Sequence, residues 1–267
     1  MKIRWQTIRK VWATTGAILF VVFTLWNLIS YQSWGVDEAV LRSDGRVSVE
    51  PRPGYTAFLP RAGARPVGLV FYPGALVDPE AYAPLARTVA ESGYPVFLLE
   101  LPLRLAPSLS SEVEVYSRTL SIMKRETAVR RWIVGGHSKG GAIACRFAVR
   151  NTRSPYGLLL VGSSHPREID MSDLPFEVTK IYATRDGLAS EEEVRHYARN
   201  LPEDTHWVRI EGGNHCQFGW YGFQFGDRPA AISRARQQDL LAAAVIDALR
   251  RAEVEPEGEP MSTGGAY

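Results

Sequence analysis

The chain predicts an α/β fold, a mostly parallel sheet with helices on both faces, preceded by one transmembrane helix. Three observations lead there. Residues 67–252 alternate short, wholly apolar runs with longer amphipathic stretches, and strands apolar on both sides belong to parallel sheets buried between helix layers. Val11–Ser30 carries no charge, and a helix rising ~1.5 Å per residue would cover about 30 Å there, the thickness of a bilayer's hydrocarbon core. The remainder has an ordinary globular composition, 45% hydrophobic and 22% charged over 267 residues, and is long enough to bury its own core.

In order along the chain, Lys2, Arg4, Arg9 and Lys10 precede the apolar span, while Asp37 and Glu38 follow it. That asymmetry predicts a cytoplasmic N-terminus, with the bulk of the protein across the membrane. Trp5 and Trp12 flank one end and Trp26, Tyr31 and Trp34 the other, as interfacial aromatics do. A cleaved signal peptide would have a shorter apolar core and small residues at its cleavage site, and "LWNLISYQSWG" offers no such site. Residues 1–34 therefore read as a cytoplasmic stub and an uncleaved anchor, with a cleaved signal or a buried soluble helix as the alternatives.

Residues 35–66 read as a linker, holding the turn formers "SDGR", "PRPG" and "RAGARP" around two short strands, "RVSVE" and "YTAFLP". From Val67 the alternation is regular. "VGLVFYP" is a buried strand, and "DPEAYAPLARTVAESG" a helix with Asp78 as N-cap, Pro79 at its first position and Gly93 after its end. Strand "YPVFLLELP", helix "SEVEVYSRTLSIMKRE" and strand "RRWIVGG" follow, then helix "KGGAIACRFAVR" and strands "YGLLLVGSS" and "EVTKIYATRD". Helix "SEEEVRHYARNL", strand "THWVRIEGG" and helix "ISRARQQDLLAAAVIDALRRA" complete a domain spanning 67–252. The tail, 253–267, is polar and rich in Gly and Pro, and reads as disordered.

Several function classes fall away. A formal charge of +2, with 31 basic residues scattered along the chain, does not suit a nucleic-acid partner. Cys145 and Cys216 lie far apart, match no zinc spacing, and read as two buried free thiols, a single disulfide being the alternative. No grouping of histidines and carboxylates calls for a metal, and nothing calls for another cofactor.

The chemistry points to "GGHSKGG", where Gly136-His137-Ser138-Lys139-Gly140 fits G-x-S-x-G between a strand and a helix. A sharp turn that exposes a nucleophile between those elements needs glycines two before and two after it. The helix start also aims unpaired N–H groups at developing negative charge. A serine hydroxyl needs a base and an orienting carboxylate. His215, in "EGGNHCQFG" beyond the last strand, lies at the sheet's carboxyl edge and is the favoured base; His165 is the alternative. His137 is expected to point elsewhere, His196 to be solvated on a helix, and His206 to begin a strand without a chemical role. Asp186, directly after the apolar part of "IYATRDG", is the favoured acid, with Asp170 and Asp173 as alternatives.

With the order Ser138, Asp186, His215 in hand, "FYPGALVDPEAYAPLA", "GGHSKGG", "YATRDG" and "EGGNHCQFG" together resemble the α/β-hydrolase superfamily, in particular its fold-5 group of small bacterial hydrolases. The resemblance covers about residues 67–250 and implies an α/β-hydrolase fold and an oxyanion hole of two backbone N–H groups. One would be that of Lys139, whose side chain is given no further part; the other that of Ala75, with Leu76 second, in the turn "YPGAL". The expected activity is hydrolysis of a small-molecule carboxylic ester through an acyl-enzyme. No large insertion lies between Gly157 and Asp186, which favours esters of modest size. The alternatives are the same triad used for acyl transfer, lactone or peptide cleavage, and a non-catalytic membrane-anchored binding module. Arg104 is expected to be solvated, with an anionic substrate as the alternative. The aromatic run 217–226 is read as a pocket wall, a rim on the membrane or plain packing.

Overall fold

The strands Val67–Tyr72, Val96–Leu99, Arg131–His137, Gly157–Val161 and Glu177–Ala183 are buried along almost their whole length in the computed structural model, which describes residues 5–254. Numbered in chain order, these are β3 to β7. β1 (Val47–Arg52) and β2 (Tyr55–Pro60) precede them and β8 (His206–Ile210) follows. The eight form one sheet in the order β1-β2-β4-β3-β5-β6-β7-β8. β2 is antiparallel to both β1 and β4, and every other pair is parallel. The two short strands of residues 35–66 are thus the first members of this sheet.

Side chains alternate across the sheet, so each strand feeds two cores. Leu69, Phe71, Ile133, Leu159 and Ile181 share one core with α2 (Ala83–Glu91) and α6 (Arg234–Glu253). Val70, Tyr72, Val134, Leu158, Leu160 and Val178 share the other with α3 (Leu109–Arg125) and α4 (Lys139–Arg150). Helices therefore cover both faces, as all-parallel strands require. α5 (Glu191–His196) is short, capped by Ser190 and followed by a 3₁₀ turn at Ala198–Asn200.

The helix expected over 78–93 divides in two. Asp78 caps a 3₁₀ turn at Pro79–Tyr82 through its bond from Glu80 N–H, and α2 proper starts at Ala83. Pro84 is the reason: it has no N–H to give Glu80 O, and its ring would collide with that carbonyl in a continuous α-helix. Downstream, α3 begins earlier than its expected start because Ser108 and Ser111 form a reciprocal capping box. Both cysteines are free and buried. The tail expected to be disordered lies, from residue 255 on, outside the described residues, as do Lys2 and Arg4.

α1 (Trp5–Ser30) precedes the sheet. Over Trp5–Trp26 it is long and apolar enough to cross a membrane, and none of that window is buried against the rest of the protein. Its other end is docked. Gly222 N–H donates to Ser30 O (2.7 Å), Asp78 N–H to Tyr31 O (2.8 Å) and Trp34 N–H to Trp220 O (2.7 Å).

Candidate active site

β5 delivers Ser138 to the carboxyl edge of the sheet. Its backbone sits at φ 53°, ψ −114°, a conformation that costs a non-glycine residue on the order of 1–3 kcal/mol. Neighbouring strands hold it there: Ser138 N–H donates to Val161 O at 3.0 Å. The flanking glycines are required by crowding. A Cβ on Gly140 would stand 2.1 Å from Tyr72 O, and one on Gly136 would stand 2.6 Å from the same oxygen. The start of α4 therefore rests directly on the end of β3, and its first N–H groups crowd around the half-buried Ser138.

Two loops away, β7 and β8 release Asp186 and His215, both essentially inaccessible to solvent. Asp186 Oδ1 accepts the N–H groups of Leu188 (2.8 Å) and Ala189 (2.7 Å), which fixes the carboxylate. Its Oδ2 meets His215 Nδ1 at 2.8 Å. A proton on Nδ1 then leaves a lone pair on Nε2. That Nε2 is buried and makes no hydrogen bond. The structure thus joins Asp186 and His215 directly, while no hydrogen bond yet links the imidazole to Ser138.

The turn after β3 offers few free donors. Pro73 has no N–H, Gly74 N–H donates to the Tyr82 hydroxyl (3.0 Å), and Leu76 N–H to Arg104 O (2.5 Å). Ala75 N–H has no acceptor among the described residues. The other sequence candidates are engaged elsewhere. Asp170 is exposed and accepts from Ser172, and Asp173 is exposed. The His165 imidazole bonds neither a carboxylate nor Ser138, and burial, with Arg167 nearby, pushes it down to about 4.

The alpha/beta hydrolase family model matches residues 68–239. The chain belongs to that family. Among solved structures, it is similar to an alpha-beta serine hydrolase homologue from Coxiella burnetii and to Est1E from Butyrivibrio proteoclasticus. Each is 12% identical with a TM-score of 0.56, over 78% of this chain and 99% of that one. XC6422 from Xanthomonas campestris, described as an a/b serine hydrolase without lid, is 15% identical with a TM-score of 0.56, over 80% of this chain and 99% of its own. Identities this low speak for the shared fold alone. No curated protein matches the chain.

In this hydrolase-family chain three features of the site escape sequence reasoning. Asp227, buried, accepts from the N–H groups of Gly187 (3.1 Å), His215 (3.2 Å), Cys216 (2.9 Å) and Arg228 (2.8 Å). One carboxylate thereby clamps the loop of Asp186 to the loop of His215. Its only trace in the sequence is that it is the sole acidic residue between Glu211 and Asp239.

His137 does not point away from the site. It is fully buried, with its ring centroid 4.4 Å from that of His215, and its Nδ1 meets the Tyr82 hydroxyl at 2.8 Å. Since that hydroxyl also receives Gly74 N–H, a chain of bonds ties the turn after β3 to the residue before Ser138. Burial and the adjacent His215 hold His137 well below its ordinary range, so it stays neutral. The third feature is the side chain of Lys139, which does more than offer its N–H: Nζ reaches Glu112 Oε1 at 3.2 Å on α3. Burial pushes the Glu112 carboxyl up, but bonds from Arg146, Lys139 and the Tyr116 hydroxyl bring it below the usual range. The cation beside Ser138 is thus paired outside the site, with a carboxylate it shares with Arg146.

Proposed function

We propose that this protein is a membrane-anchored serine hydrolase that cleaves carboxylic esters with Ser138, His215 and Asp186. The observation that carries the reading is the His215 imidazole: one nitrogen is held by a buried carboxylate, and the other is buried without a partner beside a strained serine turn. A buried acceptor left unbonded is costly, and a substrate-bound Ser138 hydroxyl would satisfy it.

Ser138 Oγ attacks the ester carbonyl carbon while its proton passes to His215 Nε2. Asp186 steadies the resulting imidazolium. The N–H groups of Ala75 and Lys139 face the oxygen as it becomes negative, each worth about 3–4 kcal/mol of barrier. The carbon–oxygen bond to the alcohol breaks and His215 returns the proton to the leaving alkoxide. Water, deprotonated by His215, then attacks the acyl-enzyme, releasing the acid and restoring Ser138. His137, held neutral, leaves His215 as the imidazole that cycles its charge.

The anchor is residues 1–34, with the N-terminus cytoplasmic and residues 67–252 forming the catalytic domain on the far side. A fluorophosphonate probe is expected to label Ser138, and Ser138→Ala to abolish both labelling and ester turnover, a loss of about 10⁴-fold or more. A folded Ser138→Ala protein that still turned over esters would end this reading.

A further inference from the structure

We infer that the substrate is a lipid ester of the membrane itself, its acyl chain entering the site through a groove between α1 and the turns after β3 and β4. This rests on the ester hydrolysis proposed for Ser138 and names its substrate class.

The groove has a volume of 380 Å³. Phe20, Phe23 and Thr24 of α1 form one side, and Leu76, Leu103 and Arg104 the other. Leu76 shares its turn with Ala75, the proposed oxyanion donor, so one wall of the groove belongs to the turn that borders the site. Depth decides what fills it. Phe23 lies three residues and Phe20 six residues inside the end of the apolar span at Trp26, roughly 4.5 Å and 9 Å along the helix axis. A cavity walled by those residues opens among acyl chains.

The catalytic domain reaches the same level. Phe225, in the segment that follows His215, packs edge-to-face on Phe23 with centroids 6.3 Å apart. Phe225 is 73% exposed and Leu103 82% exposed, an apolar surface that water would penalise and lipid would not. Leu76 and Leu103 are also held at φ 62° and 53°, a left-handed backbone that Leu rarely adopts. Strain kept with an apolar side chain aimed outward is the kind that persists at functional sites.

Charge agrees with an uncharged occupant. The Arg104 guanidinium is already bonded to Asp78 (3.1 Å) and to Gln32 Oε1 (3.0 Å). The neighbouring cavity of 490 Å³ is unsuited to a hydrocarbon chain, because Asp78, Glu80 and Glu100 line it.

The test uses the full chain in dioleoylphosphatidylcholine vesicles with a hexadecyl fluorophosphonate carrying a mid-chain diazirine. Ser138 Oγ displaces fluoride at phosphorus, which fixes one end of the chain in the site. Photolysis is expected to cross-link the chain to Phe20, Phe23 or Leu76, which line this groove and not the neighbouring cavity. Cross-links to Phe58 or Leu98 in the neighbouring cavity, or to lipid alone, would overturn the inference while leaving Ser138 labelling intact; absent labelling would remove the hydrolase reading and the inference with it. A second arm uses Leu103→Asn, since Asn tolerates that φ and removes the apolar wall. It is expected to lower the ratio of vesicle-borne oleoyl ester turnover to soluble butyryl ester turnover about tenfold or more. An unchanged ratio would refute the groove.

Discussion

The two ends of β3, β4 and β5 solve the same backbone problem differently, although the carboxyl edge also uses glycine after β6 (Gly162, φ 47°) and β8 (Gly212, φ 73°). Where turns at the amino ends of β3 and β4 need a left-handed residue, they use glycine: Gly63 at φ 63° and Gly93 at φ 98°. At the carboxyl ends of β3, β4 and β5, the positive-φ positions are Leu76, Leu103, Arg104, Ala106 and Ser138, which among the described residues are all the non-glycine cases. Glycine removes the strain at no steric cost, so retaining five side chains at one edge means those side chains are wanted there. Ser138 is the proposed nucleophile, and Leu76 and Leu103 line the proposed acyl groove. One edge is built for closure and the other for display.

The sharpest way to break that comparison is to add a methyl group on each edge. Gly140→Ala places Cβ 2.1 Å from Tyr72 O, a backbone atom that cannot swing aside, and is expected to cost about 3 kcal/mol or more along with most of the fluorophosphonate labelling. Gly93→Ala meets Gly63 O at 3.1 Å with φ at 98°, and is expected to cost roughly 1–2 kcal/mol while leaving labelling per folded molecule unchanged. Thermal unfolding and probe kinetics on the two variants check this. If Gly93→Ala slowed labelling as much as Gly140→Ala, the edges would not differ in function.

Next in size is Asp227, which belongs to the displaying edge although it touches no reacting atom. Asp227→Ala strands four N–H groups, those of His215 and Gly187 among them, and is expected to cost about 2–4 kcal/mol. Asp227→Asn keeps the oxygen that serves Gly187, His215 and Arg228 and loses only the acceptor for Cys216 N–H, so it should recover most of the stability. A positioning role further requires that kcat fall more than KM rises in folded Asp227→Ala, with Asn restoring kcat. Loss of stability with kcat intact would make Asp227 a structural clamp alone.

How much of this was legible depends on whether a signal is local. β3, β4 and β5 announce themselves because a strand buried on both faces must be apolar throughout. The crowding at Gly136 and Gly140 leaves its mark as glycine spacing. Asp186 stands out because it follows an apolar strand, and His215 because it lies in the glycine-containing loop beyond the last strand at the same edge. Asp227 accepts backbone N–H groups from segments up to 40 residues away, and backbone donors are the same at every position, so no partner type betrays it. The bond from Tyr82 to His137 spans 55 residues and hides inside what looks like ordinary core. Glu112 lies on α3 where a charge suggests a solvated face, yet it is buried and pairs with the lysine beside Ser138. The docking of α1 was illegible for the same reason: Ser30, Tyr31 and Trp34 bind mainly through their backbones.

The smallest effect expected is a pH dependence that loads the displaying edge alone. His165 follows β6 at that edge, and burial, together with Arg167, Arg146, Lys180 and Lys139, pushes its imidazole down to about 4. In the unfolded chain it takes up a proton near pH 6.5. Between those values the unfolded state binds more protons than the folded one, so stability falls as the pH is lowered. The loss begins near pH 6.5, is complete below about pH 4, and is absent above pH 7, where both states are neutral. His137, also depressed, adds to the slope with the same sign. His165→Gln cannot take up that proton, so denaturant titrations at pH 7 and pH 4.5 should show a smaller acid loss in the variant, by on the order of 1–3 kcal/mol. An acid loss of equal size in both proteins would show that His165 charges freely in the fold, and that this part of the edge is open to solvent.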